Sequence, residues 1–128
     1  MKKNLCLFVF LCVTALSLLS FGCSMTQEQK TASIELEGNA TTGYSWVYTM
    51  SPEGVINELS NDYIPDKTND GIAGSGGKFI FTFEAVSEGE AELVFSYIKK
   101  WETGVPPIKT VSYKAIVDNK GNLTLSKK

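Results

Sequence analysis

Apolar side chains recur at every second position through much of the chain from residue 33 onward, and this period of two is the pattern of a half-buried β-strand. "SIELE" at 33–37 alternates Ile34 and Leu36 with polar neighbours. "YSWVY" sets Tyr44, Trp46 and Tyr48 on one face, and "KFIFTFEA" does the same with Phe79, Phe81 and Phe83. "EAELVFSY" aligns Ala91, Leu93, Phe95 and Tyr97, and "TVSYKAIV" aligns Val111, Tyr113, Ala115 and Val117. "NLTLS" supplies a last strand after the turn residues "DNKG", and "GVINELS" at 54–60 reads as another short strand carrying Val55 and Ile56. A helical stripe is missing throughout.

Six or seven short strands at regular spacing predict an all-β domain, an immunoglobulin-like antiparallel β-sandwich of about seven strands. "SEGE" at 87–90 reads as a hairpin connection. Phe79, Phe81, Phe83, Phe95 and Trp46 are expected in the core, since buried rings dominate small sandwich interiors.

The N-terminal segment follows other rules. Lys2 and Lys3 precede an apolar run from Leu5 to Leu19, and the small residue Gly22 stands before Cys23, so residues 1–22 read as a lipoprotein-type signal peptide. The run is shorter than a membrane span and is interrupted by Thr14 and Ser17. "LSFGC" resembles a bacterial lipoprotein box with Leu19 one place early, which makes Cys23 the lipidation residue. Removal of Cys6 and Cys12 with the signal leaves no second thiol for a disulfide. Residues 23–32 are then lipid-anchor cysteine and flexible tether, and 33–128 the folded domain. The expected location is extracytoplasmic, on a membrane through the N-terminal lipid, with a secreted or periplasmic protein as the alternative.

Composition excludes several functions. The twelve basic residues are all lysine, and two of them precede Cys23, so ten face fourteen Asp and Glu afterwards. There is no basic stripe for nucleic acid. The chain has no histidine, so a hydrolase relying on a His base and a zinc site built on imidazole are both ruled out. Glu84, Glu88, Glu90 and Glu92 cluster where solvated charge is the ordinary explanation. "GIAGSGG" at 71–77 lacks the lysine and helix of a phosphate loop. No cofactor, metal or catalytic residue is expected.

What remains is three loops between strands: "NATTGY" at 39–44, a long one at 60–77, and "IKKWETGVPP" at 98–107. Glycines 43, 74, 76 and 77 are expected to take positive φ and to allow close backbone approach. Trp101 is a large ring without alternating neighbours to mark it as core.

These loops resemble, in order and spacing, the three motifs of the chagasin-like inhibitors of cysteine peptidases: Asn-Pro-Thr-Thr-Gly-Tyr, Gly-x-Gly-Gly, and Arg-Pro-Trp or Arg-Pro-Phe. Asn39, Thr41, Thr42, Gly43 and Tyr44 match the first; Gly74, Gly76 and Gly77, around Ser75, match the second; Trp101 matches the aromatic of the third. The resemblance implies a reversible, non-covalent inhibitor that wedges its loops into the cleft of a papain-like cysteine peptidase; the chain is expected to be a monomer. It also implies that Ala40, in place of proline, and Lys99 and Lys100, in place of Arg-Pro, lie at the contact and weaken or redirect it. Loss of the proline rings raises the entropy lost on ordering, and lysine lacks the planar fork of arginine. A surface-anchored adhesion or assembly module on the same sandwich is the competing reading, which the motif triplet disfavours.

Overall fold

The computed structural model describes residues 29–67 and 76–128, so Cys23, Gly74 and Ser75 lie outside the described residues. Seven strands form two antiparallel sheets: β1 (Thr31–Gly38), β2 (Tyr44–Ser51), β3 (Ile56–Pro65), β4 (Gly77–Ala85), β5 (Gly89–Lys99), β6 (Lys109–Val117) and β7 (Leu123–Lys127). One sheet has the order β1-β4-β3 and the other β2-β5-β6-β7.

Each alternating run delivers one face to the space between the sheets. Ile34, Leu36, Trp46, Phe79, Phe81, Phe83, Leu93, Phe95 and Tyr97 are all buried there. Phe81 lies edge-on to Phe95 across the sandwich at 5.0 Å, and Tyr48 meets Phe83 at 5.5 Å. Each such pair contributes about 0.5–1.5 kcal/mol beyond the area it buries.

Three expectations are corrected. First, the segment at 87–90 is not a hairpin. β4 and β5 belong to different sheets, and the connection crosses between them. The Val86 and Ser87 N–H groups both donate to the Val55 carbonyl, and the Ser87 hydroxyl donates to the Gly54 carbonyl, which docks the crossing on the β2–β3 connection. Second, the long loop is shorter than 60–77. β3 continues to Pro65 past a bulge between Glu58 and Ser60, because β4 offers it a full ladder to Gly77. β1 likewise starts at Thr31, two residues ahead of Ser33.

Third, Gly76 and Gly77 do not use positive φ. Gly77 is squeezed between strands: a Cβ there would stand 2.5 Å from the Ile64 carbonyl oxygen and 2.7 Å from the Tyr63 ring. Glycine serves that position by absence of bulk. Gly77→Ala should therefore lower stability by about 2 kcal/mol, read as a fall in thermal midpoint on the order of 10 °C. An unchanged midpoint would show that the β3–β4 hairpin opens freely there.

Candidate functional site

Strand register brings the three loops to one end of the sandwich. Gly38 at the end of β1 is opposite Gly77 at the start of β4, which is opposite Pro65 at the end of β3. In the other sheet Tyr44 opens β2 opposite Lys99 at the end of β5. The connections 39–43, 66–76 and 100–108 are therefore neighbours, although the sequence separates them.

The first connection crosses from one sheet to the other as a single 3-10 turn, Ala40–Thr42. Asn39 is its N-cap, with an extended backbone (φ −130°, ψ 103°) and a side-chain oxygen that accepts from the Thr41 N–H at 3.0 Å and from the Thr41 hydroxyl at 2.5 Å. The Thr42 hydroxyl donates to the Asn39 carbonyl at 2.7 Å. Gly43 closes the turn in the left-handed region at φ 83°, its N–H donating to the Ala40 carbonyl. Both threonine hydroxyl protons are thus used inside the loop. What Ala40, Thr41 and Thr42 present outward is methyl groups, oxygen lone pairs and backbone, on three exposed residues.

Beneath the turn stands an aromatic pillar. Tyr97 stacks on Trp46 at 4.9 Å and on Tyr44 at 5.2 Å. Its hydroxyl accepts from the Asn39 N–H at 2.8 Å and donates back to the Asn39 carbonyl at 3.4 Å. Trp46 Nε1 donates to the Glu37 carbonyl, pinning the end of β1 on the other sheet. Tyr97 carried no functional signal in the sequence, where it reads only as the last ring of an alternating strand.

The flanking loops touch the central one. Trp101, 68% exposed, lays its indole against Gly43: a Cβ on that glycine would collide with Cη2 and lie 2.9 Å from Cζ2. Gly43 is therefore constrained twice, by its φ and by the ring above it. On the opposite side, Gly76 approaches the Gly38 carbonyl, where a Cβ would stand at 3.3 Å, and its own carbonyl accepts from the Asp66 N–H. Lys99 points inward rather than outward. Its ammonium lies 5.0 Å from the Tyr44 ring centroid and 3.7 Å from Glu102, while Lys100 is exposed. Exposed Val105 and Ile108 extend the apolar surface of the Trp101 loop, a contribution the motif comparison overlooks although "VPPI" in a loop is a legible signal.

Among the described residues no group of His, Cys, Asp and Glu could hold a metal ion. Of the anticipated residues, Asn39, Ala40, Thr41, Thr42, Gly43, Tyr44, Gly76, Gly77, Lys99, Lys100 and Trp101 gather at this end. Asn39, Tyr44, Gly77 and Lys99 act there mainly as supports.

Tyr97→Phe tests the pillar. It leaves the stacking in place and removes the hydroxyl that bonds the Asn39 N–H and carbonyl, so stability should fall by about 1–2 kcal/mol in thermal or urea unfolding. Retention of full stability would mean that the turn is held from elsewhere.

Comparison with known proteins places this geometry. The profile of the family described as Chagasin family peptidase inhibitor I42 matches residues 26–115. Amoebiasin-1 of Entamoeba histolytica (strain ATCC 30459 / HM-1:IMSS / ABRM) is 41% identical over 68 residues, 53% of this chain and 64% of that protein, so the match spans under two thirds of that relative. The crystal structure of the cysteine protease inhibitor EhICP2 from Entamoeba histolytica is similar in fold, with a TM-score of 0.62 at 19% identity over 70% of this chain and 79% of that one. Strands β1 to β5 and all three loops lie inside the matched span, and the chain belongs to the chagasin family of peptidase inhibitors, proteins that block enzymes and are not enzymes themselves.

Proposed function

We propose that this protein is a reversible, non-covalent inhibitor of papain-like cysteine peptidases, which it blocks by filling the active-site cleft with its three loops. The observation that carries the reading is the convergence of three sequence-distant loops at one end, with the Ala40–Thr42 turn in the middle, Trp101 against one side and Gly76 near the other.

The arrangement blocks by shape. A peptidase must lay an extended segment across its nucleophile in a near-attack geometry. A capped 3-10 turn presents no such segment, so the thiolate meets compact backbone and methyl groups. The internal hydrogen bonds of Asn39, Thr41 and Thr42 hold that shape before binding, which reduces the ordering entropy that the missing prolines would otherwise limit. Trp101 supplies a large apolar anchor of the kind that dominates interface energetics. No covalent bond forms.

Export and lipidation at Cys23 are part of the same proposal, supported by Lys2, Lys3, the apolar run and Gly22, with the family match beginning only at residue 26. Cys23→Ala should release the protein from the membrane fraction without loss of inhibition, and continued retention would reject the anchor.

Titration of papain with the purified protein should reach full inhibition at a one-to-one ratio, and binding should persist when the target's catalytic cysteine is replaced by alanine. Trp101→Ala should weaken binding by about 2 kcal/mol, roughly thirtyfold, with little change in melting. Equal affinity of that variant and the parent would remove the anchor role from Trp101. Ala40→Pro probes preorganisation from the other side. Asn39 already has the extended backbone that a residue before proline prefers, and the Ala40 N–H makes no hydrogen bond among the described residues. Stability should rise by about 0.4–1 kcal/mol, with tighter inhibition. A destabilised variant would show that the turn does not accept the ring.

A further inference from the structure

Among the described residues the four-stranded sheet ends at β2, which pairs there only with β5. Edge strands are normally guarded by charge, proline or bulges. The other three are: β1 carries Glu35 and Glu37, β3 carries Glu58, Asp62, Pro65 and a bulge, and β7 carries Lys127 beside Lys128. β2, "YSWVYTMS", contains no charged residue and no proline, and it is rich in aromatic and β-branched side chains.

The free hydrogen-bonding groups on that edge can be assigned. The Tyr97 carbonyl accepts from the Ile108 N–H on the β6 side, so odd-numbered β5 residues bond β6 and even-numbered ones bond β2. Through the register Ser45↔Ile98, Val47↔Ser96 and Thr49↔Val94, the odd-numbered β2 residues receive those bonds. The backbone N–H and C=O groups of Tyr44, Trp46, Tyr48 and Met50 consequently face away from the sheet. Beside them, between β2 and β3, lies an open cleft of about 910 Å³ bounded in part by Tyr48, Thr49, Met50, Ile56 and Val86.

We propose that β2 pairs antiparallel with β2 of a second copy of this chain, joining two four-stranded sheets into one of eight strands. The strand is self-complementary in one register. Opposed residues must share a face, and all four outward residues find partners when Val47 sits on the two-fold axis: Tyr44 opposite the second copy's Met50, and Trp46 opposite its Tyr48. A charge-free strand meets its own copy without like-charge opposition, which Glu35 or Asp62 would create on β1 or β3. In such a dimer the two loop-bearing ends point in opposite directions.

Sedimentation of the purified protein, without peptidase, from micromolar to near-millimolar concentration should show a reversible monomer–dimer equilibrium. Exchange of the Trp46, Tyr48 and Met50 amides should slow as the dimer forms. Val47→Lys places two ammonium groups on the axis from a partly buried position, and should weaken association by about a hundredfold while melting and papain inhibition by the monomer stay as in the parent. With oxidised glutathione added as oxidant, Val47→Cys should give a disulfide linking residue 47 to residue 47, because a non-hydrogen-bonded pair sets the two Cα atoms about 4.5 Å apart. A protein that stays monomeric throughout, or a dimer that survives Val47→Lys or fails to cross-link through Val47→Cys, would overturn the proposal. The association, exchange and cross-linking outcomes do not depend on the inhibitor reading, which the papain titration tests separately.

Discussion

The two hydrogen bonds between the Tyr97 hydroxyl and the backbone of Asn39 join the interior of the sandwich to its loop-bearing end. Tyr97 is 6% exposed and belongs to the four-stranded sheet, while Asn39 follows the last residue of β1 in the three-stranded one. A single phenol therefore fixes where the chain leaves one sheet and enters the other. The crossing turn, its cap and the glycine that receives the Trp101 indole are all placed from that point.

Rigidity here is built differently from the proline-bearing motif that the sequence resembles. Proline restricts φ whether or not the chain is folded. In this chain the same segment is restricted by contacts that exist only after folding: the Asn39 cap, two inward hydroxyls, and an indole laid on Gly43. The turn's stiffness is thus coupled to the stability of the fold beneath it. Lys99 shows a similar exchange, since its charge is spent on Tyr44 and Glu102 within the loop base, leaving Lys100 and Trp101 as the outward members of that motif.

The two ends of the sandwich divide their labour. At the loop end, the Thr41, Thr42 and Gly43 N–H groups and both threonine hydroxyls are bonded within the turn, so that surface offers mainly shape and apolar area. Along the β2 edge the opposite holds: backbone groups are unpaired and side chains carry no charge. A surface of the first kind suits a cleft of fixed form, and one of the second kind suits another strand.

By itself the sequence determined which segments are strands, though not all their bounds, the face each one buries and the three motif loops. All of these follow from local periodicity or from residue types that are present or missing. Phe79, Phe81, Phe83 and Phe95 were legible as core because a strand's period of two needs no partner to be seen. The tertiary structure decided what joins what. "SEGE" has the composition of a hairpin turn and is instead a crossing between sheets, because Val86 and Ser87 find their acceptor on Val55, over thirty residues away in the chain. Residues 60–65 look like loop until β4 supplies their ladder, and Gly77 looks like a flexible hinge until Ile64 and Tyr63 crowd it. Trp101 over Gly43 and Tyr97 under Asn39 are contacts across 58 residues each. Period and composition carry no information about such pairs, since they are selected by the packing of the whole sandwich.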